Sequence, residues 1–318
     1  MKAIYETILI PLDGSPLAEE ILPHLRRLAL PANTVLHLVG VLEAWRYAMG
    51  TPDLPMHELV GQMRTDLQNY LAAQKAALAK LGYCVETHYH EGDAALTIID
   101  VANRFNVDLI AMTTHGRSGV RRWALGSVAE RVLHEAQQPL LLVRHETLSR
   151  DAFKHLLVPL DGSILSEAAL AHASIIAQAT GATILLLHVV QALDPTNQRL
   201  LFHSKAEAES AVHAWLREGE RYLAGVGKRL AEQNIRYETR VRTGDPDRLI
   251  CATAVDAAID LVVMSTHGRT GIQRWFYGSV ANKVLHGLDC PLILVRNMTD
   301  GAKPNGAPER VSHANQSP

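Results

Sequence analysis

The sequence has few cysteines and almost no net charge. Its three cysteines, Cys84, Cys251 and Cys290, are dispersed along the chain. They show neither a paired spacing nor a Cys/His ligand spacing, so we expect neither a disulfide framework nor a zinc site. The formal net charge of −2 excludes the strongly basic surface that nucleic-acid binding requires.

Long apolar runs are also lacking. The longest, around residues 182–190, is far shorter than the roughly 20 residues of a membrane-spanning helix, and the first residues lack the apolar core of a signal peptide. A hydrophobic content of 47% with 20% charged residues agrees with a compact soluble protein. We therefore expect a cytoplasmic protein that has neither a membrane nor a nucleic acid as its partner.

The chain repeats itself. The sequence Pro-Leu-Asp-Gly-Ser at 11–15 returns at 159–163, and the glycine-rich segment at 112–119 returns at 264–271. Gly-Ser-Val-Ala follows each glycine-rich segment. The repeat predicts two domains of one fold, at 1–146 and 153–296, joined by a short polar linker. Residues 297–318 are rich in polar residues, glycine and proline, and we expect them to form a disordered tail.

Short apolar runs alternate with helical patterns in each copy. The first strands are predicted at 7–12 and 155–160, and a helix at 17–30 follows the first of them. The second strands, at 35–42 and 184–190, are continuously apolar, as in parallel strands covered on both faces. Long helices are predicted at 63–81 and 207–233, after surface excursions at 43–62 and 191–204. The fold class is therefore α/β, with a doubly wound parallel sheet in each half.

Candidate binding residues lie at the carboxyl ends of these strands, where open α/β sheets bind ligands. In the first half these are Asp13, Gly40 and the loop from Met112. Gly126 then begins a helix whose free N–H groups, at Ser127 and the next residue, carry partial positive charge. A glycine-rich loop that leads into a helix N-terminus suits a polyphosphate.

Structural interpretations compete with these functional ones. Ser127 and Glu130 match a capping box, and Ser279 could be a simple helix cap. Asp13 and Asp161 lie in Asp-Gly-Ser turns, where an aspartate commonly bonds its own backbone. Both interpretations stay open at this point.

The combination of the Pro-Leu-Asp-Gly-Ser strand end, the Thr-His-Gly-Arg-(Ser/Thr)-Gly loop and Gly-Ser-Val-Ala resembles the universal stress protein family, over about residues 2–296. The resemblance implies a Rossmann-like, five-stranded parallel sheet in each half, similar to the adenine nucleotide α-hydrolases. It implies the strand order 3-2-1-4-5, with the fifth strands pairing the halves as an intramolecular pseudo-dimer. Homodimerisation of the whole chain is a further assembly to consider. ATP, with Mg²⁺ on the phosphates, is the implied cofactor, in a stress response without a defined catalytic cycle.

The family's ATP-binding motif is Gly, two residues, Gly, nine residues, Gly, then Ser or Thr. Its nine-residue spacing is kept in both copies, but Thr113 and Ser265 stand where the first glycine is expected. The nucleotide-contacting residues that the resemblance implies are Pro11, Asp13, Gly40, Met112, Thr113, Gly116, Gly119, Gly126, Ser127 and Val128 in the first half, and Pro159, Asp161, Val189, Met264, Ser265, Gly268, Gly271, Gly278, Ser279 and Val280 in the second.

Three functions remain open. The first is a nucleotide-binding stress regulator, and the second is a nucleotide-independent interaction protein in which the glycine loop is only a tight connection. The third is an ATP pyrophosphatase or adenylyltransferase, which would need a Ser-Gly-Gly loop after the first strand or a His-x-Gly-His pair, and neither motif occurs. We rank the three in that order and assign neither catalytic residues nor a resident metal site. The protein partner is not indicated by the sequence.

Overall fold

The computed structural model describes residues 5–44, 56–114, 125–144, 151–191, 202, 204–266 and 278–296. Strands and helices alternate along both halves, as the sequence predicts. The strands are β1 (Thr7–Pro11), β2 (Val35–Leu42), β3 (Cys84–Glu91), β4 (Leu109–Thr113), β5 (Leu140–Val143), β6 (His155–Leu160), β7 (Thr183–Gln191), β8 (Arg236–Gly244), β9 (Leu261–Ser265) and β10 (Leu292–Val295). The helices are α1 (Pro16–Glu19), α2 (Ile21–Arg27), α3 (Met56–Lys80), α4 (Ala94–Arg104), α5 (Ser127–Glu135), α6 (Ile164–Thr180), α7 (Lys205–Glu232), α8 (Pro246–Asp256) and α9 (Ser279–Gly287).

All ten strands form one sheet in the order β3-β2-β1-β4-β5-β10-β9-β6-β7-β8. Within each half the paired strands are parallel and follow the order 3-2-1-4-5. The halves meet where β5 and β10 pair in antiparallel register, with Ile293 opposite Leu141. Both the strand order and the pairing of the fifth strands confirm the expectation from the family resemblance.

The core lies in two layers, one on each face of the sheet. One layer holds residues from α1, α2, α3, α6 and α7, and the other holds residues from α4, α5, α8 and α9. β4 and β9 are buried at every position because helices cover both of their faces. β3 and β8 form the two edges of the sheet, and they carry mostly polar, exposed side chains. Polar edge strands resist further strand pairing.

Arginines that follow the fifth strands join the two halves. The Arg144 guanidinium donates hydrogen bonds to three carbonyls at the end of α9, those of Leu285 (2.7 Å), His286 (3.2 Å) and Leu288 (3.1 Å). Arg296 donates in the same way to carbonyls at the end of α5. Each arginine therefore neutralises the negative end of a helix in the opposite half.

Buried aromatic and histidine side chains form a second contact between the halves. The Tyr5 hydroxyl and Nδ1 of His172 on α6 are hydrogen-bonded over 2.9 Å. In the reciprocal position, the Arg27 guanidinium lies 4.2 Å from the ring centroid of Phe153, which is completely buried. Arg27 also contacts Nδ1 of His24 at 3.2 Å. These contacts are interior, so the halves form a continuous packed structure here.

Two predicted segments differ from the structure. The helix expected at 17–30 is divided into α1 and α2 around Glu20, since Pro23 has no N–H with which to continue the hydrogen-bond ladder. The excursion expected at 43–62 ends early, because α3 begins at Met56. No helix in the described ranges is long and apolar enough to cross a bilayer.

Candidate functional site

Each half contains a cleft at the carboxyl ends of its parallel strands. The first lies where β1 stands between β2 and β4, the point at which the strand order reverses, and has a volume of about 490 Å³. The second lies at the matching point of the other half and has a volume of about 800 Å³. Both are of the size that binds a small ligand. The clefts therefore lie at the topological switch points, where open α/β sheets hold ligands.

Most of the described candidate residues line these clefts. In the first cleft they are Pro11, Asp13, Met112, Thr113, Gly126, Ser127 and Val128. In the second they are Pro159, Asp161, Val189, Met264, Ser265, Gly278, Ser279 and Val280. Gly116, Gly119, Gly268 and Gly271 lie outside the described residues.

Gly40 is the described candidate that does not line a cleft. A Cβ built on it would lie 2.9 Å from Leu71 and 3.1 Å from Leu67, so this residue faces α3. The neighbouring Val41 lines the cleft instead. Strand register explains the difference: Pro11 pairs with Val39 and Pro159 pairs with Leu187, so the true counterpart of Val189 is Val41. A shift of one residue along a strand exchanges its two faces.

An Asp-Gly-Ser turn holds the acidic corner of each cleft. Oδ1 of Asp13 accepts the backbone N–H of Ser15 over 2.9 Å, and the serine hydroxyl then caps α1. In the second half Oδ1 of Asp161 accepts both the backbone N–H (2.9 Å) and the hydroxyl (2.6 Å) of Ser163. The intervening Gly162 has φ 86°, a conformation that favours glycine. Each aspartate thus builds its turn and also faces the cleft.

Helix N-termini form the opposite wall. Gly126 and Gly278 are the N-caps of α5 and α9, and among the described residues no side chain caps either helix. The capping box that Ser127 could form is therefore absent, because this serine is the first helical residue and the Gly126 carbonyl accepts the first intrahelical bond, from Glu130. The simple cap considered for Ser279 is absent for the same reason. Amide groups of the first turn are left to face the cleft, with partial positive charge.

The long helices supply a wall that sequence reasoning missed. Side chains of α3 at Met63, Asp66, Leu67 and Tyr70 line the first cleft. The residues at the matching places on α7 are Trp215, Glu218, Gly219 and Tyr222, and they line the second. Their i, i+3, i+4, i+7 spacing and their occurrence in both copies were the available signal.

One reciprocal exchange of side chains distinguishes the clefts. In the first half a glycine on the strand, Gly40, accepts a leucine on the helix, Leu67. In the second half the strand carries His188 and the helix carries Gly219, where a Cβ would lie 2.6 Å from the imidazole. Large and small side chains have changed places across the same strand-to-helix contact, as the close packing of an interior requires. The loss of the leucine side chain accompanies the larger volume of the second cleft.

Tyrosines close the back of both clefts. The Tyr222 hydroxyl donates to Oε1 of Glu167 at 3.0 Å. Burial, and then the Glu167 carboxylate, raise the pKa of Tyr222, so the phenol stays protonated. Burial and the nearby Glu19 carboxylate raise the pKa of Tyr70 in the same way. The Tyr70 hydroxyl is buried beside Glu19 and Gln74, at the wall of the first cleft.

A chain that contains this cleft twice within one sheet is a tandem doubly wound α/β protein, with a cleft at each switch point. The Universal stress protein family model matches residues 4–144 and 152–296. The chain therefore belongs to the universal stress protein family.

Relatives and solved structures agree with this assignment. Universal stress protein Rv2005c of Mycobacterium tuberculosis is 27% identical over 273 residues, which cover 83% of this chain and 86% of that protein. Universal stress protein MJ0531 of Methanocaldococcus jannaschii is 32% identical over 142 residues, 44% of this chain and 83% of that protein. The crystal structure of a universal stress protein from Archaeoglobus fulgidus covers 92% of this chain and 98% of its own, with a TM-score of 0.65 at 20% identity. The last comparison shows the shared fold.

Proposed function

We propose that both clefts bind an adenine nucleotide, ATP with Mg²⁺ foremost, and that the protein acts as a cytoplasmic stress regulator with little turnover. One observation carries the proposal. In each half a carboxylate at the end of the first strand and a helix N-terminus that begins at a glycine face each other across one cleft. A nucleotide has complementary ends: a base and ribose that donate hydrogen bonds, and phosphates that accept them.

The helix end suits the phosphates. N–H groups at Ser127 and Val128, or at Ser279 and Val280, are not used inside the helix and add to its positive partial charge. Gly278 is needed at this point, since a Cβ on it would lie 3.1 Å from the Thr266 carbonyl oxygen. A larger residue would displace the backbone that forms the cradle.

The opposite end of each cleft suits the base and ribose of the nucleotide. The carboxylates of Asp13 and Asp161 are fixed by their turns and accept hydrogen bonds from amino or hydroxyl groups. Met112 and Met264 provide an apolar surface beside them for a base. Tyr70 offers a further hydroxyl in the first cleft.

The clefts fit a divalent cation together with the nucleotide. Among the described residues, the first cleft is lined by the carboxylates of Asp13, Glu43 and Asp66 and by no lysine or arginine. The second cleft is lined by one lysine, Lys283. A bare triphosphate would meet these carboxylates with charge repulsion. Mg²⁺ neutralises phosphate charge and binds through oxygen ligands, including carboxylates and water.

The test is equilibrium dialysis of the full chain with Mg-ATP, followed by a turnover assay on the same sample. We expect two nucleotides per chain and hydrolysis too slow to account for a catalytic cycle. Gly278→Val should remove one equivalent, and Gly126→Val should remove the other. Gly225→Ala, at an exposed helix position with open space around it, is the matched control and should bind two. Rapid metal-dependent ATP consumption would overturn the regulatory role.

A nucleotide-independent interaction protein is the second candidate. Thr113 and Ser265, which replace the first motif glycine, are almost completely buried at the cleft walls. If these side chains fill the space that a nucleotide needs, dialysis at millimolar Mg-ATP would detect no binding. Thr113→Gly combined with Ser265→Gly would then restore it, and this restoration separates a blocked site from a site of another kind.

A further inference from the structure

A cluster of metal-ligating side chains lies on the first half, away from the nucleotide cleft. His37 is on β2, and Glu86 and His88 are on the adjacent edge strand β3. His37 and Glu86 are register partners, and His88 lies two residues along on the same face of its strand. One ligand atom from each side chain lies within 4.8 Å of the other two.

The distances approach those of a metal site. Nδ1 of His37 is 2.8 Å from Nε2 of His88 and 3.5 Å from Oε2 of Glu86. Ligand atoms about 2.0 Å from a tetrahedral ion lie about 3.3 Å from one another. Small side-chain rotations would therefore bring the three atoms around one ion. The Glu86 side chain is 54% exposed, so water can reach a fourth position.

The surroundings keep both imidazoles in the form that binds metals. Burial lowers the pKa of His37, against the opposing effect of the Glu86 carboxylate. Burial also lowers the pKa of His88, and His37, His90 and Arg104 act in the same direction while Glu86 opposes them. Both rings are therefore neutral at pH 7, and a neutral imidazole is the metal-binding form.

Phe105 holds the two rings in place. Its ring centroid lies 4.6 Å from those of His37 and His88. Phe105 is the C-cap of α4, so the cluster lies at the negative end of that helix. The cleft receives the other end of α4, at Ala94. An 11-residue helix is about 16 Å long, so the cluster is separate from the cleft.

The second half shows that the fold does not require these residues. Strand register places Leu185 where His37 stands, Glu238 where Glu86 stands, and Arg240 where His88 stands. There the arginine and the glutamate form an ion pair at 3.8 Å. The same backbone is thus satisfied without a ligand set, so the fold alone does not require the hydrogen-bonded pair of His37 and His88.

We propose that His37, Glu86 and His88 bind one divalent transition-metal ion, with Zn²⁺ as the reference, and leave a fourth position to water. Two imidazoles and a carboxylate are a ligand set that zinc uses with an open position. Spacing along the chain does not reveal this site, because its ligands come from two strands. The alternation of Glu86, His88 and His90 on one strand face was the available signal.

The test is a titration of metal-free, full-length protein with Zn²⁺ in competition with a chromophoric chelator. Visible absorption after Co²⁺ addition reports the coordination geometry. We expect one equivalent per chain. His88→Arg and His37→Leu install the residues of the second half, and each should weaken binding at least tenfold. His88→Gln serves as a milder variant if either fails to fold.

Two controls separate the cluster from its neighbours. His90→Arg lies on the same strand face, and Cys84→Ser removes an exposed thiol that could bind zinc by itself. Both should keep the wild-type affinity. The proposal would be overturned if the wild type did not bind Zn²⁺, or if His88→Arg kept the wild-type affinity. It would also be overturned if either control lost as much affinity as His88→Arg.

Discussion

Acidification should weaken the contact between the two halves through His24 and His172. Burial lowers the pKa of His172 to about 4, and burial together with Arg27 lowers the pKa of His24 to about 4, from 6.5 for both. A proton on His172 would place a positive charge in a largely buried position beside the Tyr5 hydroxyl. A proton on His24 would place two cations in contact, since Arg27 lies 3.2 Å away.

The two pKa values determine whether acid stabilises or destabilises the fold, and over which pH range. The unfolded chain takes up each proton near pH 6.5, whereas the folded chain does so only near pH 4. The contribution of these two histidines to the free energy of unfolding is therefore fully present above pH 6.5. It decreases as the pH falls towards 4, and it decreases no further below pH 4. At pH 5 each histidine should cost about 2 kcal/mol, and the pair about 4 kcal/mol, relative to pH 7.

The assay is urea unfolding at pH 7 and pH 5. The wild type is compared with a His24→Gln/His172→Gln variant, in which neither side chain titrates. Other buried histidines contribute equally to both proteins and cancel in the comparison. The variant should lose about 4 kcal/mol less of its unfolding free energy between the two pH values. If the loss is the same in both proteins, these histidines are not held neutral at the interface and the reasoning is wrong.

The remaining predictions concern the backbone, the packing exchange and the joint between the halves. Gly162→Ala should destabilise by about 1–2 kcal/mol because of its positive φ, whereas Gly225→Ala should stabilise by about 0.5–1 kcal/mol, as thermal unfolding would show. Gly219→Leu should cost about 1–3 kcal/mol by overpacking against the imidazole of His188. His188→Gly added to it should recover much of that loss in a double-mutant cycle, and additive losses would contradict the exchange. Arg144→Met should lower the free energy of unfolding by about 1.5–3 kcal/mol, since buried carbonyls lose a charged donor.

Periodicity in the sequence was sufficient to predict the strands and helices, and to predict the edge of the sheet at which the clefts lie. The alternation of apolar runs and helical patterns predicted the parallel strands, and the ends of those strands predicted Asp13 and Asp161 correctly as cleft residues. The strand order and the pairing of β5 with β10 came from the family resemblance. Apolar runs do not encode which strands are neighbours, so residues alone could not supply that order.

The details that escaped prediction have a common physical cause. Apart from His37, β2 is apolar and it is covered on both faces, so its pattern does not distinguish the face of Gly40 from the face of Val41. On α3 the residues that face the cleft and those that face the core follow the same helical spacing. The sequence pattern therefore does not distinguish Tyr70 from a core residue. The side chains of His37 and His88 meet only when two strands pair. Each case depends on which elements are neighbours in space.

The antiparallel joint of β5 and β10 has a consequence for how the two halves can evolve. Two separate copies of one half, assembled about a twofold axis, would have identical sites, since every substitution would appear twice. Covalent fusion removes that constraint. Gly219 lines one cleft while Leu67 lines the other, and the histidines of β3 have no counterpart in β8. A single polypeptide thereby has two unequal halves, as a heterodimer does, in a fixed one-to-one ratio.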